Sequence, residues 1–244
     1  MEIRKVILSR SRSNSVTTHN VIHGCTLTVC ETQFQEYEEN YDLPIIVHPD
    51  DVDTLGKLRN WLRDYYPDDC IVMLDDDIES VRTLGIISNI RLTPEQVDSL
   101  IYSTANTAYE LGVKAFGWNQ NGNVIAYNPA DPFTLSKWIG TAIGVFPDCQ
   151  RWDEEIKTKC DLDFSLKELM VNRIIFRDNR FFFNSDRDSK IGGNQEYKSS
   201  EQVQRDKDYL KDKWGKYVRF TKSVKGKSES TTVKVPRKQQ LIIR

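Results

Sequence analysis

Short apolar runs alternate with helix-period patterns through the first half of the chain. Arg4–Ser9, Thr26–Cys30, Leu43–Val47 and Ile71–Leu74 are each aliphatic or β-branched and each ends in polar residues, which predicts four strands. Between them the spacing predicts a short helix near Thr17–Gly24, a polar one over Gln33–Asn40 and a longer one over Asp53–Tyr65. The last carries Leu55, Leu58 and Leu62 on one face, with Asp53 or Thr54 as its cap. Such strand–helix alternation implies a mostly parallel sheet with helices on both faces.

The second half is less regular. Thr93-Pro94-Glu95-Gln96 has the form of a capping box with proline at the first helical position, so a helix should run from there to about Leu111 and stop at Gly112. Val113–Trp118 and Val124–Tyr127 read as strands around an Asn121-Gly122 turn, and Gly140–Phe146 as a strand whose glycines leave room for close approach. Phe164–Asn172 reads as a helix, Arg173–Arg177 and Arg180–Asn184 as a hairpin, and Val203–Trp214 as a last helix before a basic tail.

The run ending in Leu74 stops at Asp75-Asp76-Asp77. Three like charges at a strand end repel one another, so a positive partner is expected there. Aspartate oxygens suit Mg²⁺ or Mn²⁺, ions that usually arrive with a phosphorylated substrate, and the carboxyl end of a strand is where open α/β sheets bind ligands. An acidic cap on a surface turn is the plainer alternative.

Charge modifies this picture. The chain of 244 residues has a net charge of −2, yet from Arg205 to Arg244 there are 13 Lys/Arg against 4 Asp/Glu, a local +9 that leaves −11 on the rest. A basic tail on an acidic body is the footprint of a polyanionic partner, with nucleic acid first among candidates; a solvated tail is the alternative. Five scattered cysteines without a CxxC pair argue for free thiols in a reducing cytoplasm. No apolar run approaches the roughly 20 residues needed to span a bilayer, and no signal-peptide pattern opens the chain, so no membrane partner is expected.

The strand order, the acidic triplet and the preceding Leu55-Gly56-Lys57-Leu58-Arg59-Asn60-Trp61 segment together resemble the GT-A class of nucleotide-sugar glycosyltransferases over roughly residues 4–170. Leu58-Arg59-Asn60 is similar to the Ala-Arg-Asn helix of that class and Asp75-Asp76-Asp77 to its DxD motif. The resemblance implies an α/β, GT-A-like (Rossmann-type) mixed sheet flanked by helices, with a basic C-terminal extension. It implies Mn²⁺ or Mg²⁺ on Asp75 and Asp77, and a nucleoside-diphosphate sugar, with UDP-sugar the first choice, held by Ser9, Arg10, Arg12, Glu31, Arg59, Asn60, Asp75 and Asp76. Lys159–Lys167 looks like the Glu-Asp-x-Asp-Phe-x-Leu pattern of smaller relatives, with Cys160 as a departure. Asp161 and Asp163 there are the candidate catalytic carboxylates, Asp163 preferred, with helix capping as the alternative. Lys190, beside Gly192-Gly193, is a candidate phosphate contact.

The Ser/Arg-rich first loop, the Gly-Gly loop and Lys213-Trp214-Gly215-Lys216 before the basic tail narrow the resemblance to the phage-type TET-associated glycosyltransferases. That implies transfer of glucose, or a pentose such as arabinose, to 5-hydroxymethylated pyrimidines of phage DNA in the host cytoplasm. Lys222, Lys225, Lys227, Lys234, Arg237 and Lys238 would then contact phosphates. The expected organisation is a catalytic domain over 1–200, with a donor half at 1–90 and an acceptor half at 91–200, followed by a helix and basic tail at 201–244. Rival readings are a GT-A enzyme acting on protein or polysaccharide, a two-metal nucleotidyltransferase or nuclease, and a non-catalytic DNA-binding module.

Overall fold

The computed structural model describes residues 1–85, 89–185, 198–222 and 229–236. Four parallel strands, β1 (Ile3–Leu8), β2 (Thr26–Cys30), β3 (Ile45–His48) and β4 (Cys70–Asp75), lie in the order β3-β2-β1-β4. Helices α1 (Phe34–Asn40) and α2 (Leu55–Tyr65) make the crossovers, and the region expected as a helix near Thr17–Gly24 contains a single 3₁₀ turn, Thr18–Asn20. Thr54 caps α2, accepting the Lys57 N–H at 3.3 Å. Gly56 sits inside that helix because a Cβ there would stand 3.0 Å from the Asp153 carbonyl.

Beyond β4 the chain makes a two-residue turn into β5 (Ile78–Thr83), then α3 (Pro94–Glu110), β6 (Ala115–Asn119), β7 (Phe133–Thr134), β8 (Ala142–Val145), α4 (Cys160–Val171) and β9 (Phe176–Ser185). The sheet continues β4-β8-β6-β9-β5, with β8 antiparallel to both β4 and β6 and β9 parallel to β6. The architecture is therefore an α/β mixed sheet flanked by helices, parallel in its first half. Gly144 on β8 faces Phe116 so closely that an added Cβ would lie 2.0 Å from the ring.

Alternate strand residues feed two cores, as expected of strands covered on both faces. Ile7, Val72, Leu74, Phe116 and Trp118 join Val97, Ile101 and Ala105 of α3 on one side. Val6, Leu8, Ile71, Met73 and Ile143 join Leu58 and Leu62 of α2 and Leu162, Phe164 and Leu166 of α4 on the other. Helix α5 (Ser200–Trp214) and the hairpin β10 (Val218–Lys222)–β11 (Glu229–Val233) add Leu210, Val218 and Val233 to this second core. Asp206 of α5 is buried and accepts both the Thr158 N–H and its hydroxyl at 2.6 Å.

Three further expectations are corrected. Val124–Ala126 is a 3₁₀ turn rather than a strand, because Asn119, Asn121 and Asn123 each accept the backbone N–H two residues on and bend the chain away from a hairpin. The hairpin expected over Arg173–Asn184 is one strand, β9, since Asp178 pairs with Arg180 and Asn179 bonds the Asp131 and Pro132 carbonyls, so neither residue turns the chain. Helix α4 begins at Cys160, its N-cap Lys159 being left-handed at φ 63° without a side-chain cap, which excludes Asp161 and Asp163 as N-caps.

Candidate functional site

Leu8 of β1 stands opposite Asp75 of β4, so the loop after β1 and the acidic turn after β4 emerge side by side at the carboxyl edge of the parallel block. The loop wraps the turn. Thr17 N–H donates to the Asp76 carbonyl at 2.9 Å, the Thr18 hydroxyl to the Asp75 carbonyl at 2.6 Å, and Ile78 N–H to Thr18 Oγ1 at 3.0 Å.

Arg12 is the positive partner that the triplet demands. Its Nη1 lies 2.6 Å from Asp76 Oδ1 and 3.4 Å from Asp77 Oδ2, and all three residues are buried. The second Asp76 oxygen accepts from Ser9 Oγ at 2.6 Å; Ser9 also meets the Tyr37 hydroxyl at 2.8 Å, which in turn accepts the Arg12 N–H at 2.9 Å. Burial pushes the Asp76 carboxyl up, against the opposing pull of Arg12 and Ser9. Burial likewise pushes the Tyr37 hydroxyl up to about 12, so it remains protonated.

Among the described residues one guanidinium, Arg12, stands between the Asp76 and Asp77 carboxylates, and Asp77 Oδ1 is buried with no hydrogen-bond partner. Among the described residues no three His, Cys, Asp or Glu side chains gather to hold a metal ion. A Mg²⁺-type site needs no protein cage of that kind, being built from one or two carboxylates with water and substrate phosphates. An orphaned, buried carboxylate oxygen at the turn fits such an ion.

The other wall of the edge comes from the second half. Asp75 N–H donates to the Thr141 carbonyl at 3.1 Å. Thr141 is a β-branched residue held at φ 52°, a conformation that costs roughly 1–3 kcal/mol and that clusters at functional sites. Gln120 fixes this segment, donating to the Gly140 carbonyl at 3.1 Å and accepting from the Thr141 hydroxyl at 3.3 Å. A Cβ on Gly140 would meet Asp161 Oδ2 at 2.7 Å and the Trp138 ring at 3.1 Å, which brings the α4 carboxylate to the strained segment beside the acidic turn.

The two α4 aspartates differ sharply. Asp163 is fully buried: its Oδ1 accepts from Trp214 Nε1 at 2.7 Å and pairs with Lys213 at 2.9 Å, while Lys167 lies 3.2 Å from Oδ2. Asp161 is half-buried, and its carboxylate has no hydrogen bond or ion pair among the described residues.

The remaining candidates separate in space. Arg10 donates to the Asp53 carbonyl at 2.9 Å, tying the first loop to the segment before α2, and Glu31 is exposed just past β2 on the same edge. Arg59 and Asn60 turn to the segment before α4 instead: Asn60 binds the Trp152 backbone and Glu154, and Arg59 lies 5.6 Å from the Trp152 ring and 3.5 Å from Cys160 Sγ. Lys190 lies outside the described residues, as do Lys225, Lys227, Arg237 and Lys238. Tyr37, Gln120 and Thr141 are residues of this edge that pattern reading passes over, while Trp138 reads as a ring that could stack a base or sugar, against core packing; the Phe34, Tyr37, Tyr41 spacing along α1 and its C-cap is the available signal for Tyr37.

No family model matches the chain, and no curated protein matches its sequence. Among solved structures, CMP:2-keto-3-deoxy-manno-octonic acid synthetase complexed with CTP is 10% identical at a TM-score of 0.42, covering 72% of this chain and 89% of that one. S. aureus TarS 1–349, alone and in complex with UDP, is 13% identical at a TM-score of 0.42, and the match covers 77% of this chain and 59% of TarS 1–349.

Proposed function

We propose that the chain is a nucleotide-sugar-dependent glycosyltransferase whose acceptor is a 5-hydroxymethylated pyrimidine in DNA. The observation that carries the reading is the Arg12-clamped Asp75–Asp77 turn at the carboxyl edge of β1 and β4, with Asp77 Oδ1 buried and unpartnered among the described residues. A divalent ion on Asp75 and Asp77 would supply positive charge against a diphosphate leaving group. Ser9, Tyr37 and Arg12 hold the turn rigid, which keeps that charge pattern in place before substrate arrives.

In the transfer, the acceptor hydroxyl oxygen bonds to the anomeric carbon as the bond from that carbon to the diphosphate breaks, and the diphosphate departs with the electron pair. Asp161 is the base in this reading, since its carboxylate is unengaged among the described residues and abuts Gly140 next to Thr141, whereas Asp163 is committed to Trp214 and two lysines. The hydroxyl proton passes to Asp161 if the configuration inverts, or to the departing diphosphate if it is retained. The basic balance of residues 205–244 favours a polyanionic acceptor over a neutral one.

The test is to offer labelled UDP-glucose or UDP-arabinose with Mn²⁺ to oligonucleotides carrying 5-hydroxymethylcytosine or plain cytosine. Label should enter only the hydroxymethylated strand and leave its backbone intact. Failure to transfer from any nucleoside-diphosphate sugar, or strand cleavage, would overturn the proposal.

A further inference from the structure

Arg177 is a half-buried cation whose partners are all neutral. Its Nε donates to Asn179 Oδ1 at 2.8 Å and its Nη1 to the Trp138 carbonyl at 3.3 Å, and no carboxylate lies within ion-pair distance among the described residues. Several other cations of the interior have carboxylate partners. Arg12 has Asp76 and Asp77, Lys5 has Asp98, and Lys213 has Asp153 and Asp163. Arg10, Arg59, Arg63 and Arg82 also lack a carboxylate among the described residues. Arg59 is sealed at 2% exposure against Trp152 and Cys160, and the others bond the Asp53 carbonyl, the Pro147 carbonyl and the Ser80 hydroxyl. Arg177 instead bonds the Trp138 carbonyl, two residues from Gly140.

A guanidinium carries five N–H donors, and Asn179 and Trp138 use two of them. The remaining three lie on the two terminal nitrogens, the edge that grips a pair of oxyanion oxygens. Burial without a counter-charge pushes Arg177 down to about 10, so the residue is still charged at neutral pH and an arriving anion would relieve that cost.

Its position gives the anion a place in the reaction. Arg177 on β9 pairs with Gly117 of β6, and the open face of Gly117 receives Ile139 from the core shared with α4. Arg177 holds the carbonyl of Trp138, and Asp161 abuts Gly140, two residues further on. The two side chains therefore flank one short segment, the one that supplies the Thr141 carbonyl to Asp75.

We infer that Arg177 is a specificity-determining residue that holds a phosphate of the acceptor strand while the adjoining nucleotide presents its hydroxyl at Asp161. The inference rests on the glycosyl-transfer reading for the role of Asp161, and its test is arranged so that the two can fail separately. Phosphate chemistry is present in both substrates; the geometry assigns Arg177 to the acceptor, on the Trp138–Gly140 side of the edge.

The test uses the full chain as wild type, Arg177→Gln and Arg177→Lys. In the first measurement the Arg177 Nε–Hε resonance, assigned by its loss in Arg177→Gln, is followed during titration with inorganic phosphate at constant ionic strength. It should move saturably with phosphate and stay still with chloride; an unmoved resonance overturns the inference. In the second, KM is compared for an oligonucleotide bearing 5-hydroxymethylcytosine and for the neutral 5-hydroxymethyl-2′-deoxycytidine nucleoside. Arg177→Gln should raise the oligonucleotide KM about tenfold more than the nucleoside KM, with partial recovery in Arg177→Lys. Equal losses on both acceptors would mean a packing role, and weakened UDP binding would mean a donor role; either result overturns the inference. Wild-type protein that binds phosphate at Arg177 yet transfers sugar to neither acceptor would sink the glycosyltransferase reading and leave the anion site standing.

Discussion

Asn60 grips the backbone of Trp152 at both ends, accepting its N–H at 2.9 Å through Oδ1 and donating to its carbonyl at 3.0 Å through Nδ2. Nδ2 also reaches Glu154 Oε1 at 2.8 Å, so every strong hydrogen-bonding position of the amide except one acceptor lone pair is used. The residue acts as a peptide-shaped clasp between α2 and the chain entering α4. Asn60→Ala would leave a buried N–H and a buried carbonyl without partners, at a cost of about 2–4 kcal/mol. Urea unfolding should show the midpoint falling with an unchanged slope; a midpoint like that of wild type would remove this role.

Asp163 and Asp161 stand two residues apart on one helix with opposite environments, and substitutions should part them. Asp163→Asn keeps an acceptor for Trp214 but strips the charge that Lys167 and Lys213 face, and should cost about 2–4 kcal/mol of stability. Asp161→Asn should keep the unfolding midpoint and, if the reaction inverts, lower turnover by about 10²–10⁴. Differential scanning calorimetry on both variants, beside initial rates for Asp161→Asn, separates them. An unstable Asp161→Asn with a fully stable Asp163→Asn would reverse the assignment.

The docking of α5 should depend on pH at both extremes. Burial works to raise the Asp153 carboxyl, but Lys213, the Glu155 N–H and the Tyr209 hydroxyl hold it below the usual carboxylate range. Burial likewise works to lower Lys213, yet Asp153 and Asp163 hold it above its ordinary value. A depressed carboxyl contributes stability that is present above its unfolded pKa, about 3.9, and lost as pH falls through the folded value. A raised lysine contributes stability that is full below its unfolded pKa, about 10.4, and lost as pH rises through the folded value. Protection of the α5 amides, taken relative to the intrinsic exchange rate at each pH, should therefore be greatest between these limits and fall beyond each. In Asp153→Asn the acid-side loss of protection should shrink; an unchanged acid profile would contradict the assignment.

The legible parts of this molecule are those where local chemistry and tertiary packing agree. Val6-Ile7-Leu8 and Ile71–Leu74 feed both cores by simple alternation, and the Thr93–Gln96 capping box forms as the residues demand, with Gln96 Oε1 accepting the Thr93 N–H at 2.9 Å. The acidic triplet pointed correctly to a positive partner, and Arg12, already a candidate, supplies it from within the chain. The illegible parts depend on distant contacts. Asp178-Asn179 has the composition of a turn, but Asn179 is pinned by the Asp131 and Pro132 carbonyls and the strand runs straight through. β5 starts directly behind three carboxylates and pairs with β9, about a hundred residues away. Arg177 carries no motif at all, and only its contact in three dimensions with the Trp138 carbonyl beside the acidic edge brings it to notice.

In the proposed function the acidic turn after β4 receives a metal-bound diphosphate. Titration calorimetry of UDP into wild type and Asp77→Asn, each with and without Mn²⁺, tests it most directly, with CTP as a second nucleotide. UDP binding should strengthen at least about tenfold with Mn²⁺ in wild type and lose that metal dependence in Asp77→Asn while the protein stays folded. Binding of equal strength with and without Mn²⁺, or the same metal response in Asp77→Asn, would contradict it.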